Sequence, residues 1–344
     1  MKGPKLKFSI GLVGMIALIA IVLGAVAGRA STDSGGGGGN AGPAAVAGTR
    51  IDVIIKASDS SFWQTMLAGA KKAGADFGID VSLFGPTSET DVNEQVQLVE
   101  NSISRGVDAI AIASNSSDAL NNVIDRAREG GIRVITVDNA VTTETDGFIG
   151  TDNIKAGEAG GRKLCELLEE QGRTEGEVLL ESSVAGVQVL RDRDAGFEQG
   201  LTAACPDVRI GARRYNNNDI NTAAGQVNDA ITSNPDLLAV FADNNTSGVG
   251  AARAIQDNDA ADRIPVVAFD SDPQENAALA DGSIDALVVQ NPYFFGYQGV
   301  LEAAMATADN FPPVRLDPGA VVVDESNMNQ PDVRRLLEPP TEEL

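Results

Sequence analysis

The 344-residue sequence contains no histidine. That absence removes the imidazole general base, the serine–histidine–aspartate arrangement and most zinc sites. Cysteine is almost absent as well: Cys165 and Cys205 are the only thiols and stand too far apart for a local metal-ligand motif. Aromatic residues make up 4% of the chain, and Trp63 is the single tryptophan. Positive charge is scarce, with 26 Lys and Arg against 49 Asp and Glu and a formal net charge of −23. A surface that acidic repels phosphate backbones and anionic membranes, so nucleic acid is not an expected partner. The acidity itself reads as a solvated, solubilising face rather than as a sign of cationic ligands. Two phosphate-cradling patterns are also missing: no G-x-G-x-x-G follows the first predicted strand, and G-x-x-x-x-G-K-[ST] does not occur. No cofactor and no metal is therefore expected, and an enzyme would be left with carboxylate chemistry alone.

What is present points outside the cytoplasm. Lys2, Lys5 and Lys7 precede an uncharged, mostly apolar run over residues 8–28. Such a run is a signal peptide or an uncleaved membrane anchor, with its basic flank on the cytoplasmic side. Gly28 and Ala30 are small enough for cleavage after residue 30, although Arg29 between them is unfavourable. Residues 31–49 are rich in Ser, Gly and Ala and include five consecutive glycines, Gly35–Gly39. They cannot bury enough side chain to fold and read as a flexible tether. The remainder is expected in the periplasm or at the outer face of the cytoplasmic membrane.

From Ile51 the chain alternates between short apolar runs and helix-length segments. The runs fall at 51–56, 80–85, 108–113, 133–138, 147–152, 177–182, 237–243, 265–270 and 285–290. Their nearly continuous Val, Ile, Leu and Ala suit strands covered on both faces, as in parallel sheets. Between them, Val92, Val96, Val99 and Ile103 share one helical face, as do Met66, Ala70, Ala73 and Phe77, and later Phe197, Leu201 and Ala204. Asp91, with Glu94 three residues on, marks a helix start. The spacing predicts an α/β protein of βαβ units, with too many strands for one open sheet and a division near residues 150–153.

In open α/β sheets the binding crevice lies beyond the carboxyl ends of the strands. Polar residues gather there: Lys56, Ser58 and Asp59; Ser114–Ser116; Asp138 and Asn139; Ser182 and Ser183; Asn216–Asp219; Asp243–Asn245; Asp270; Gln290 and Asn291. Phe62 and Trp63 sit just behind the first group. Carboxylates accept from hydroxyls, amides and cations donate to them, and an aromatic face takes the C–H side of a sugar ring, so this set suits vicinal diols. Asp59 and Asn217 are equally ordinary loop starters, and Asp272 an ordinary helix cap. Arg191 and Arg193 stand at an expected helix N-terminus, where the dipole disfavours cations, so at least one is expected to serve a site.

These stretches, among them KASDSSFWQTMLAGAKKAGADFGIDV, GIRVITVDNA, RDRDAGFEQGL and PVVAFDSDP, resemble in order and spacing the sugar-binding proteins of ABC uptake systems. The likeness is to the ribose, arabinose and galactose cluster and runs from about residue 51 to 339. It implies the type I periplasmic binding protein fold, with two Rossmann-like open parallel-sheet lobes joined by a three-crossing hinge. The lobes would be 50–151 plus 291–317 and 152–290 plus 318–340. It implies a monomer without catalysis that captures a monosaccharide or polyol and delivers it to a permease–ATPase complex. By position it implies ligand contacts from Lys56, Phe62, Trp63, Asp138, Arg191, Asn244, Asp270 and Gln290, with Asp59 a further candidate. Asn139 and Asn218 stand where relatives carry other residues, which makes the pocket a hybrid richer in amides. Arg29 likewise stands where a lipoprotein site would have its modifiable cysteine. Cys165 and Cys205 fall on helical segments flanking one strand of the second half. They read either as a disulfide, which export permits, or as two small buried hydrophobes. The alternative functions are a receptor that reports a sugar-like signal to a membrane sensor, a sugar-responsive regulator core and an enzyme. A regulator would need a basic helix-turn-helix where this chain has an export segment.

Overall fold

The computed structural model describes residues 46–308, 314–339 and 341; the expected leader and nearly all of the expected tether lie outside the described residues. The first sheet is built from β1 (Arg50–Ile54), β2 (Asp80–Phe84), β3 (Ala109–Ile112), β4 (Arg133–Val137) and β5 (Gly147–Ile149). Between them run α1 (Ser61–Phe77), α2 (Val92–Arg105) and α3 (Asn121–Glu129). The second half repeats the scheme with α4 (Asn153–Glu170), β6 (Gly176–Ser182), α5 (Gln188–Ala204), β7 (Val208–Tyr215), α6 (Ile220–Ser233) and β8 (Ala239–Ala242). It continues through α7 (Asn245–Asp257), β9 (Val266–Phe269), α8 (Pro273–Asp281) and β10 (Ala286–Val289). The chain ends with α9 (Pro292–Ala306), β11 (Val314–Leu316), β12 (Val321–Asp324) and α10 (Pro331–Leu337).

The strands form two six-stranded sheets of matching order, β11-β5-β4-β3-β1-β2 and β12-β10-β9-β8-β6-β7. Every pairing is parallel except that of β10 with β12. Inner strands such as β3, β8 and β9 are buried at every residue, as helices on both faces of a parallel sheet require. The chain passes between the sheets three times: from β5 to α4, from β10 to α9, and from β11 to β12. Helix α9 packs Phe295, Val300 and Ala303 into the core of the first lobe, while α10 sends Val333 and Leu337 into that of the second.

Three strands escape the pattern of apolar runs. β7 is an edge strand carrying Arg209, Arg213 and Arg214, mostly open to solvent, and edge strands tolerate such charge. β11 and β12 are short and sit at the opposite edges. The helix start at Val92 is where the spacing places it, but the Asp91 side chain makes no capping bond, and Glu94 Oε2 instead accepts from Thr87 N (3.3 Å).

Each lobe contains a helix pair in backbone-close contact. In the first, a Cβ on Gly296 of α9 would run into the Met66 carbonyl of α1; in the second, one on Gly157 of α4 would run into the Arg193 carbonyl of α5. Cys165 on α4 and Cys205 at the end of α5 are bridged, their Cα atoms 5.8 Å apart.

Candidate interlobe binding site

Both sheets aim the carboxyl ends of their strands at the space between the lobes, and most of the polar side chains there are buried. Lys56 follows β1 and Asp138 follows β4; their Nζ and Oδ2 atoms form an ion pair of 2.7 Å with each side chain almost wholly buried. Across the gap, Arg193 on the first turns of α5 faces Asp270, which follows β9, at 3.8 Å. Asp138 and Asp270 both adopt positive φ, 61° and 80°. This conformation costs most residues steric energy but is commoner for aspartate, and it turns each carboxylate off its strand.

Neighbours hold these groups in place. Arg193 Nε donates to Asn153 Oδ1 (2.8 Å), its Nη1 donates to the Asp243 carbonyl (2.9 Å), and its guanidinium lies 4.4 Å over the Phe269 ring. Gln290 Nε2 donates to Asp270 Oδ1 (2.6 Å). Phe62 and Trp63 meet edge to face with centroids 4.8 Å apart, and Lys56 Nζ sits 5.3 Å from the Trp63 ring. Trp63 Nε1 donates to Glu89 Oε1 (2.7 Å). Burial pushes the Asp270 carboxyl up, with Arg193 and the Gln290 bond opposing; it also pushes Glu89 up, against Lys56 and the Trp63 bond.

The cavity these residues enclose has a volume of only about 30 Å³, with Asn244, Asn245, Val189 and Leu190 completing its wall on the second lobe. A space of that size holds about one or two waters. The lobes also touch directly, Ser61 Oγ donating to Asp272 Oδ2 (3.4 Å) and Val189 N to Asn139 Oδ1 (3.4 Å). No helix among the described residues is long and apolar enough to cross a membrane.

Residues 51–310 match the model of the periplasmic binding protein domain. The chain belongs to the periplasmic binding protein family. It is therefore a non-catalytic receptor for a solute, of a family that works outside the cytoplasm. Among solved structures, this periplasmic binding protein is similar to a carbohydrate-transporter solute-binding protein from Agrobacterium radiobacter in complex with D-arabinose. The two are 32% identical with a TM-score of 0.81, covering 85% of this chain and 99% of that one. It is also similar to an ABC-transporter solute-binding protein from Agrobacterium vitis with bound D-fucose, at 30% identity and a TM-score of 0.78, covering 84% and 99%. Among curated proteins, the D-ribose/D-allose-binding protein of Pseudomonas aeruginosa is 30% identical over 266 residues, 74% of this chain and 81% of that protein.

In this binding protein the eleven residues singled out from sequence fall into three groups. Lys56, Phe62, Trp63, Asp138, Asn244 and Asp270 line the cavity. Asn139, Asn218 and Gln290 stand behind it: Asn139 meets Val189 across the lobes, Asn218 Oδ1 accepts from Asn244 Nδ2 (2.8 Å), and Gln290 backs Asp270. Two residues are placed elsewhere. Asp59 is exposed on the loop before α1. Arg191 lies on the outer face of α5, bonded to the Gly186 carbonyl and to Gln188, and Arg193 occupies the pocket instead. Two residues along a helix turn the side chain by roughly 200°, so only one of the two arginines can face the cleft. The pattern held a signal for the right choice, because Arg193 is four residues before Phe197 on the buried face. Glu89 also lines the cavity, from the loop after β2, where Gly85 and Pro86 rather than polar residues follow the strand directly.

Proposed function

We propose that this periplasmic binding protein captures a monosaccharide or small polyol between its lobes and presents it to an ABC-transporter permease. The reading is carried by one observation: an acid–base pair from each lobe, Lys56–Asp138 and Arg193–Asp270, converges with Phe62 and Trp63 on one buried interlobe cavity. Asp138 and Asp270 accept from ring hydroxyls, Lys56, Arg193 and the Asn244 amide donate to their oxygens, and the aromatic pair covers the C–H face. The sugars named for similar solute-binding proteins, D-arabinose, D-fucose and D-ribose or D-allose, are all polyhydroxylated and uncharged. Sites for small molecules usually offer about 300–1,000 Å³, so a sugar must part the lobes to enter, and its hydroxyls take up hydrogen bonds that the side chains now make with one another. Three interlobe connections suit such a hinge motion, and the closed form is the surface a permease would recognise.

Thermal-shift screening of pentoses, hexoses, deoxy sugars and polyols, followed by calorimetry on the best, tests the reading, since a ligand of the folded state raises its apparent stability. In solution the ligand-free lobes are expected to swing apart about the hinge, so small-angle scattering should show a smaller radius of gyration once that ligand holds them together. Stabilisation by none of these compounds would overturn the sugar assignment.

A further inference from the structure

The loop between β2 and α2 contributes a carboxylate that neither acid–base pair accounts for. Glu89 lines the same cavity as Lys56, Asp138, Arg193 and Asp270. Its Oε1 accepts from Trp63 Nε1 (2.7 Å), and Oε2 has no hydrogen-bond partner among the described residues. No ion pair reaches it among them either, because Lys56 is engaged by Asp138 and Arg193 by Asp270. The loop is not free to carry it away: Pro86 O accepts from Ser58 N (2.9 Å), and Thr87 N donates to Glu94. Glu89 is half-buried, so its second oxygen stays open to water until a ligand fills the cavity. A carboxylate offers about four acceptor sites, of which the Trp63 N–H takes one.

Resting on the sugar reading above, we propose that Glu89 is a specificity-determining residue of this site, its second oxygen accepting a hydrogen bond from one particular ligand hydroxyl while the Trp63 N–H fixes the first. Trp63 is then a positioning residue as well as a packing surface. A polyol epimer that aims its hydroxyl elsewhere covers the half-buried Glu89 without giving its second oxygen a donor, which is how one short contact discriminates between stereoisomers. The contact also depends on ionisation. Lys56 from β1, Asp138 from β4, Arg193 from α5 and Asp270 from β9 face the carboxyl, and burial raises it overall. A ligand hydroxyl donates more strongly to the ionised carboxylate than to the neutral acid, so the contact weakens as the pH falls.

The test takes whichever of D-ribose, D-arabinose, D-galactose and D-allose binds the full-length protein best, together with its monodeoxy analogues. Glu89→Ala and Glu89→Gln are titrated calorimetrically beside the unaltered protein. Glu89→Ala should lose roughly 10- to 100-fold in affinity for the parent sugar. For one deoxy analogue, that lacking the read hydroxyl, it should bind as well as the unaltered protein does. Glu89→Gln keeps an acceptor for Trp63, so it should remain folded and bind with a flatter pH profile between about 4.5 and 8. If every analogue loses affinity by the same factor in Glu89→Ala, or the pH profile of Glu89→Gln matches that of the unaltered protein, Glu89 reads no hydroxyl and the proposal fails while the sugar reading stands. If none of the four sugars binds the unaltered protein, the sugar reading fails and takes this proposal with it.

Discussion

Each lobe ends its fourth strand in an aspartate at positive φ, Asp138 after β4 and Asp270 after β9, and sets a cation of its own against it. The supports differ. In the first lobe the pair is direct and close, at 2.7 Å, and lies against the aromatic pair Phe62 and Trp63. In the second the arginine stands 3.8 Å from its aspartate and is held chiefly by Asn153 and the Asp243 carbonyl. The interiors diverge in the same sense. Behind the cleft the second lobe buries Glu181, Asp194, Asp243 and Glu275, and its close helix pair is locked by a disulfide. The first lobe interlocks α1 and α9 through glycines and packs apolar side chains around them. One topology thus supports an apolar, aromatic half-site and a polar, covalently braced one. Of the buried acids, Asp243 accepts from the Ser182 hydroxyl and the Ser183 N–H and Glu181 from Asn216, while both oxygens of Glu275 lack a hydrogen-bond partner among the described residues. The Cys165–Cys205 bridge fixes α4 against α5.

Removing the bridge should break the comparison most visibly. It closes a loop with a sequence separation of 40 residues, for which loop-closure entropy predicts a loss of about 4 kcal/mol. The loss in Cys165→Ser/Cys205→Ser should fall on the second lobe. Trp63 lies in the first lobe, so its fluorescence follows that lobe during urea unfolding while far-ultraviolet circular dichroism follows both. The dichroism midpoint should drop well below the fluorescence midpoint. Coincident transitions would mean that the lobes unfold as one unit and that the brace is not local.

Next in size are the two half-sites themselves. Asp138→Ala strands a buried lysine, and Arg193→Ala strands Asp270 and removes donors from the cleft. Each should weaken binding of the best sugar from roughly tenfold to several hundredfold. Asn244→Ala, which removes an amide already shared with Asn218 and the Ser247 N–H, should fall at the lower end of that range. Calorimetry on the three variants ranks them. Normal binding by folded Asp138→Ala and Arg193→Ala would show that the converging pairs are structural.

The fold was readable because both halves write it in the simplest terms, apolar runs of strand length separated by helical stripes. Strands that depart from those terms were not: β7 is charged because one edge of it faces water, and β11 is only three residues long. The strand-end rule found five of the cavity-lining residues, Lys56, Asp138, Asn244, Asn245 and Asp270, and three that stand directly behind the cavity, since topology alone brings strand ends together. It could not tell which side of a helix faces inward when two arginines share one turn. Nor could it tell that a loop side chain reaches back to Trp63. Both depend on side-chain direction in three dimensions, which spacing encodes only when an apolar neighbour such as Phe197 marks the buried face.

The acids inside the second lobe give a smaller and oppositely signed effect. Burial pushes Glu181 up to about 7, opposed by the Asn216 bond, and Asp194 and Asp285 up to about 6, opposed chiefly by Arg213 and by the Val266 N–H. A carboxyl raised in the folded state binds its proton more tightly there than in the unfolded chain. Its contribution is therefore complete below the unfolded value and is lost as the pH rises through the folded one. Stability of the second lobe should decline between about pH 4.5 and 7. Glu181→Gln should recover about 1–2 kcal/mol at pH 8 and little at pH 4.5. Denaturant midpoints across that range measure it, and a midpoint rising steadily with pH would contradict the sign.

The smallest expected effect decides the register of α5. Arg191 is bonded only within its own loop and first turn, to the Gly186 carbonyl and Gln188, on the outer face of the helix. Exposed polar contacts of that kind are worth a few tenths of a kcal/mol. Arg191→Ala should therefore bind sugar within about twofold of the unaltered protein, and Asp59→Ala, exposed on its loop, should do the same. Arg193→Ala supplies the contrast in the same titration. Were Arg191→Ala the costly variant and Arg193→Ala the silent one, the first turns of α5 would have to be rotated by about half a turn from their present setting. Phe197 would then leave the stack it makes with Phe241, centroids 3.9 Å apart, and Gly196 and Gly200 would no longer face α4. So large a rearrangement ties the ranking of two neighbouring arginines to the packing of the whole braced lobe.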